Sequence, residues 1–72
     1  MDVLYGKIRI YATSGTQITI TSGLGNTQTV TIPSGATFVD RMLAGLEEYT
    51  ITDGSTTQTV LLNINAFEEV TF

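Results

Sequence analysis

One pattern occurs twice and limits what this chain can become. Residues 19–30 read T-I-T-S-G-L-G-N-T-Q-T-V, and residues 50–60 read T-I-T-D-G-S-T-T-Q-T-V. Each copy is an alternating run, a Gly-containing turn and a second alternating run, the sequence form of a β-hairpin. The offset is 31 between Thr19 and Thr50 and 30 between Thr29 and Thr59, so the copies differ by one residue in the turn. Internal duplication explains the shared T-Q-T-V. Convergence explains it too, because Thr-Ile alternation around glycine is a simple way to specify a hairpin. No further copies follow, so the chain is not a solenoid.

The flanking segments alternate in the same way. Residues 3–12 place Leu4, Ile8 and Ile10 on one face and Val3, Tyr5, Lys7, Arg9 and Tyr11 on the other. Thr13-Ser14-Gly15 is a turn. Residues 16–21 and 27–32 point Ile18, Ile20, Val30 and Ile32 inward and threonines outward, where the β-branch fits the pleat and the hydroxyl stays wet. Pro33-Ser34-Gly35 stops this unit, since proline donates nothing to a ladder. Tyr49 and Ile51 lead into the Asp53-Gly54 turn; Val60, Leu62 and Ile64 return, with Leu61 facing the other way and covered there. Val70 and Phe72 close the chain. Residues 40–48, D-R-M-L-A-G-L-E-E, are ambiguous. Met42, Leu43 and Leu46 have helical spacing and Asp40 could cap a turn, but Gly45 weakens a longer helix, so the expectation near 40–46 is one helical turn or a loop. The predicted fold is an all-β sandwich of about seven antiparallel strands in a single domain, 1–72. Its predicted core is Ile10, Ile18, Ile20, Val30, Ile32, Phe38, Leu46, Tyr49, Ile51, Val60, Leu62 and Val70.

At 72 residues, such a domain buries only about 60% of its unfolded surface, and domains of this size often gain stability from disulfides, metals or partners. There is no Cys and no His. Disulfides and thiolate sites are excluded, and so are the commonest metal ligand and general base. Close β packing or neighbouring subunits remain. The formal net charge of −4 argues against nucleic acid, whose binding relies on neutralised phosphates. No apolar run approaches a membrane span of about 20 residues, and residues 1–20 lack the basic start and apolar core of a signal peptide. The expectation is a soluble chain that begins at its own Met1 or is a trimmed module. Charged residues are 14% against roughly 25% in an average domain, and Thr, Ser, Asn and Gln take their place, a surface common in extracellular and virion proteins.

No catalytic constellation emerges. The paired carboxylates Glu47-Glu48 and Glu68-Glu69 point to opposite faces of a strand and read as solvated surface groups. Asp53-Gly54 lacks the oxygen cluster of a calcium loop and reads as a turn. The many hydroxyls have no activating base, and no phosphate-loop pattern is present. The expectation is a non-enzyme without cofactors or metals. The suggestive surface feature is the stripe Tyr5, Lys7, Arg9, Tyr11, aromatic and basic residues on one strand face. It is a candidate partner contact, with Arg41 and Met42 as further candidates. A solvated stripe, its stems covering apolar neighbours, is the alternative.

The second half, G-L-E-E-Y-T-I-T-D-G-S-T-T-Q-T-V-L-L-N-I-N-A-F-E-E-V-T-F, resembles the C-terminal half of small bacterial Ig-like or prealbumin-like modules. These include the B-type repeats of collagen-binding surface proteins and the PEGA modules. Gly45-Leu46, the strand from Tyr49 to Thr52, Thr59-Val60 and Val70 to Phe72 follow that pattern. Glu48 stands where the family usually has Gly before the Tyr. The Lys and Asn of an internal isopeptide bond are not evident, and that bond is not carried over. The Thr-rich hairpins of residues 16–72 also resemble accessory structural proteins of tailed bacteriophages that infect gut Firmicutes and Bacteroidetes. This resemblance implies a structural virion protein, a capsid decoration or a head or tail accessory, bound to other virion proteins or to copies of itself. The alternative, implied by the resemblance of residues 45–72 to surface-protein modules, is a bacterial cell-surface Ig-like adhesion or glycan-binding module.

Overall fold

The computed structural model describes residues 4–72; Val3, assigned above to the outer face of the first strand, lies outside them. Among the described residues there are seven strands and no helix: β1 (Tyr5–Tyr11), β2 (Gln17–Ser22), β3 (Thr27–Thr31), β4 (Phe38–Ala44), β5 (Glu47–Thr52), β6 (Thr57–Leu62) and β7 (Phe67–Thr71). They form a three-stranded sheet in the order β4-β1-β7 and a four-stranded sheet in the order β3-β2-β5-β6. This is an all-β sandwich. The chain changes sheet between β1 and β2, β3 and β4, β4 and β5, and β6 and β7.

The two repeated hairpins make up the whole four-stranded sheet. Both turns fall where the glycines place them. Gly25 and Gly54 have φ of 93° and 98°, a region closed to most L-residues. The second turn is also held by its own aspartate, whose Oδ1 accepts from Ser55 N at 2.8 Å and Thr56 N at 2.7 Å. The hairpins join along β2 and β5, antiparallel, with Ile20 opposite Ile51, Thr19 opposite Thr52 and Thr21 opposite Thr50. Ile20 and Ile51 are the same position in the two copies. The copies therefore meet about a local two-fold axis through that pair, as subunits of an isologous dimer do.

Between the sheets lie Ile8, Ile10, Ala12, Ile18, Ile20, Val30, Ile32, Leu43, Tyr49, Ile51, Leu62 and Val70, all buried. Alternation accounts for most of these, because inward residues recur every second position. Several expectations are corrected. Residues 38–44 form a strand, where the expectation near 40–46 is at most one helical turn or a loop. Leu43 faces the core and Met42 the solvent, so their adjacency, which mimics a helical stripe, is the two faces of one strand. Phe38 is not core, since its pairing with Tyr11 sets it on the outer face. Leu46 is not core either: it occupies the turn between β4 and β5 at φ 63°, with its side chain in solvent. Not every pair is antiparallel, because β7 returns alongside β1 in parallel. Val60 is partly buried against the core, while Leu4 and Leu61 are exposed, so Leu61 has no second cover.

Of the glycines, Gly6 leaves least room for a side chain. Gly6 lies on the inner face of β1, under the connection from β6 to β7. A Cβ there would stand 2.6 Å from Asn63 O and 2.7 Å from Leu62 Cδ1. That connection is tied down by Asn65 N donating to Tyr5 O at 2.9 Å. On the same side, Gln58 Nε2 donates to Thr71 O at 2.6 Å and links β6 to β7. The opposite side, between the edges β3 and β4, stays open as a cleft.

Candidate partner-docking face

Strand β1 is central in its sheet, so its outward residues are flanked on both sides. Lys7 lies opposite Met42 on β4 and Phe67 on β7. Arg9 lies opposite Asp40 and Glu69, and Tyr11 opposite Phe38 and Thr71. Directly paired residues share a face. The register thus converts a four-residue stripe into a two-dimensional face of Tyr5, Lys7, Arg9, Tyr11, Phe38, Asp40, Met42, Phe67 and Glu69. Four of its large apolar side chains are open to solvent: Tyr5 is 46% exposed, Phe38 39%, Met42 60% and Phe67 50%.

The charges on this face are neutralised within it. Arg9 grips Asp40 through both prongs of its fork, Nε to Oδ1 at 2.7 Å and Nη2 to Oδ2 at 3.0 Å. The same guanidinium lies 4.3 Å from the Phe38 ring centroid and 5.4 Å from that of Phe67. Lys7 Nζ is 3.7 Å from Asp40 Oδ2 and 5.7 Å from the Phe67 centroid. Tyr11 donates its hydroxyl to Glu69 Oε2 at 2.5 Å and tilts against Phe38, ring centroids 5.9 Å apart. The Arg9 hydrogen bonds hold the Asp40 carboxyl below the usual carboxylate range, and Asp40 in turn raises Arg9. Two cations and two carboxylates balance, so this face is formally neutral on a chain of net charge −4.

Of the six sequence candidates, Tyr5, Lys7, Arg9, Tyr11 and Met42 come together here. Arg41 does not. It pairs with Ile8 and so points to the other side of its strand, and its Nη1 donates to Asp40 O at 2.8 Å. Sequence reasoning missed Phe38, Asp40, Phe67 and Glu69. The alternation of F-E-E-V in residues 67–70, with Val70 inward, already sets Glu68 inward and Phe67 and Glu69 outward. Only the register, however, sets those two residues beside Lys7 and Arg9.

Two aromatic rings, a thioether and a tyrosine surround the Arg9–Asp40 pair, whose two hydrogen bonds restrain both side chains. Pre-ordered side chains lose less entropy on association. Comparison of the chain with family models, with curated proteins and with solved structures finds no match.

Proposed function

We propose that this chain is a non-enzymatic structural protein of a tailed bacteriophage virion, a capsid decoration or a head or tail accessory. It docks on other virion proteins or on copies of itself. The observation that carries the docking is the outer face of β4-β1-β7, where Tyr5, Phe38, Met42 and Phe67 stand in solvent around a neutral charge cluster. A contiguous apolar patch rimmed by polar groups is the usual mark of a protein interface. Tyrosine and arginine are the types that most often dominate contact energy. Neutrality removes the like-charge repulsion that an acidic chain meets elsewhere on its surface. In use, the stiff sandwich adds buried area between subunits of a symmetric lattice. The virion setting draws its support from the low-charge, Thr-rich surface and from the resemblance of residues 16–72 to phage accessory proteins.

Fractionation tests this directly. An antibody to the chain is applied to density-gradient fractions of a phage lysate and to cell-wall fractions of the same host culture. A constant ratio of the chain to the major capsid subunit across the particle peak is the expected result. Recovery with the wall fraction overturns the virion assignment and favours the adhesion module that the resemblance of residues 45–72 implies.

A further inference from the structure

The open side of the sandwich holds a second feature, continuous with the docking face. Between the edges β4 and β3 lies a cleft of about 280 Å³, room for one long side chain or several waters. Tyr5 and Met42, both on the docking face, form one wall; Asn26 and Gln28 from the β3 side line it as well. Glu47 and Tyr49, inward residues of β5, also line it. The adjacent carboxylates Glu47 and Glu48 both read as solvated in the sequence. Here only Glu48 is in solvent, while Glu47 turns into the cleft and its Oε1 is shut off from water without a hydrogen-bond partner.

No cation of the chain answers that carboxylate among the described residues. Lys7 and Arg9 both engage Asp40, and Arg41 donates to the Asp40 carbonyl. The nearby Tyr49 hydroxyl is spent on Ala44 O at 2.7 Å. Burial, and then the Glu47 charge, push that phenol up from its ordinary pKa. A half-buried carboxylate with an unmet oxygen is costly to keep. Among the described residues no Lys or Arg lines the cleft, so the negative charge of Glu47 there is left for a cation from another molecule.

We propose that this cleft receives a lysine or arginine side chain from the protein docked on the adjoining face, with Glu47 as its counter-ion. The apolar stem packs between Tyr5 and Met42, as cationic side chains do when they cover apolar surface. The head group meets the Glu47 carboxylate at the oxygen that is not shut off from water, and the amide oxygens of Asn26 and Gln28 accept its remaining N–H groups. Pairing across the cleft fixes the register of a partner that the aromatic face alone holds only by area. The proposal deepens the docking assignment and rests on it only for the source of the cation.

The test needs only the isolated chain. Methylguanidinium chloride, with tetramethylammonium chloride as the control at equal ionic strength, is titrated into the 15N-labelled protein. Amide shifts of Ala44, Glu47 and Tyr49 are followed by NMR. Saturable shifts in the millimolar range, the order expected of so small a ligand, are predicted for methylguanidinium alone. In Glu47→Gln, binding weakens by at least about tenfold, while the melting temperature equals or exceeds wild type because an uncompensated charge is gone. Shifts that are linear, equal with tetramethylammonium or unchanged in Glu47→Gln overturn the proposal. So does a lower melting temperature of the variant, which would make Glu47 a structural group. Since the variant leaves the aromatic face intact, failure here is distinct from failure of docking itself.

Discussion

Replacing Gly6 by alanine adds one methyl group at the most crowded of the glycine positions. Its Cβ would lie 2.6 Å from the backbone oxygen of Asn63 and 2.7 Å from both Cγ and Cδ1 of Leu62. Ordinary contact begins near 3.4 Å, so something must yield by about 0.8 Å, far more than close packing absorbs. Leu62 has no room to retreat, being fully buried. The Asn63 carbonyl sits on a connection pinned by Leu46 N to Leu62 O at 2.7 Å and Asn65 N to Tyr5 O at 2.9 Å. Overpacking of this kind costs about 1–3 kcal/mol. Loss of glycine's unfolded-state freedom returns about 0.4–1 kcal/mol. The net cost of about 1–2 kcal/mol is a large share of the roughly 4–11 kcal/mol expected of a domain this size. At about 4–8 °C per kcal/mol, calorimetry should show a fall of about 4–16 °C. Gly23→Ala is the control. Its Cβ meets only Glu48 O at 3.5 Å and its φ is not positive, so its melting temperature should hold or rise slightly. Gly6→Ala melting at or above wild type would refute the packing account of this crossing.

Other consequences follow from single residues. Ile20→Ala, at the centre of the local two-fold and 1% exposed, should cost about 2–4 kcal/mol in urea unfolding; an unchanged midpoint would remove it from the core. Leu46→Asn should leave stability unchanged or raise it by up to about 1 kcal/mol. The leucine side chain is in solvent and its φ of 63° suits asparagine better; a clear loss would show that Leu46 packs on something. Asp40 and Asp53 both titrate below the ordinary carboxylate value, Asp40 through Arg9 and Asp53 through the Thr56 and Ser55 amides. A depressed carboxyl stabilises the fold above its unfolded value, about 3.9, and that support is lost as pH falls through the folded values. The melting temperature should therefore drop below about pH 4, and the drop should be shallower in the Asp40→Asn, Asp53→Asn double variant; equal acid limbs would refute this.

What the sequence shows and what it hides divides along physical lines. Hairpins are local, and period-two alternation around Gly25 and Gly54 was enough to place β2, β3, β5 and β6 and most of the core. Strand β4 was hidden because Met42 and Leu43 are adjacent apolar residues on opposite faces, the outer one exposed. Phe38 and Leu46 were misread for the same cause: hydrophobicity alone does not separate a core position from an exposed sheet face or a turn at positive φ. The parallel pairing of β7 with β1 joins opposite ends of the chain, and no local pattern encodes it. Tyr5, Lys7, Arg9 and Tyr11 were legible as one side of one strand. The partners that neutralise and surround them, Asp40, Glu69, Phe38 and Phe67, required the inter-strand register. Glu47 looked like any surface carboxylate until the open edge beside β4 gave it a cleft to face.

The proposed docking face is tested most directly by co-sedimentation of the purified chain with phage particles from a lysate whose particle peak is shown by fractionation to carry it. Wild type is compared with a Tyr5→Ser, Met42→Ser double variant. Both side chains are exposed and neither takes part in the Arg9–Asp40 pair, so circular dichroism should report the same fold and a similar melting temperature. Saturable binding of the wild type, with the double variant weaker by at least about tenfold, or about 1.4 kcal/mol, is the predicted result. A folded double variant that binds the particle as tightly as wild type would contradict the assignment of this face as the interface.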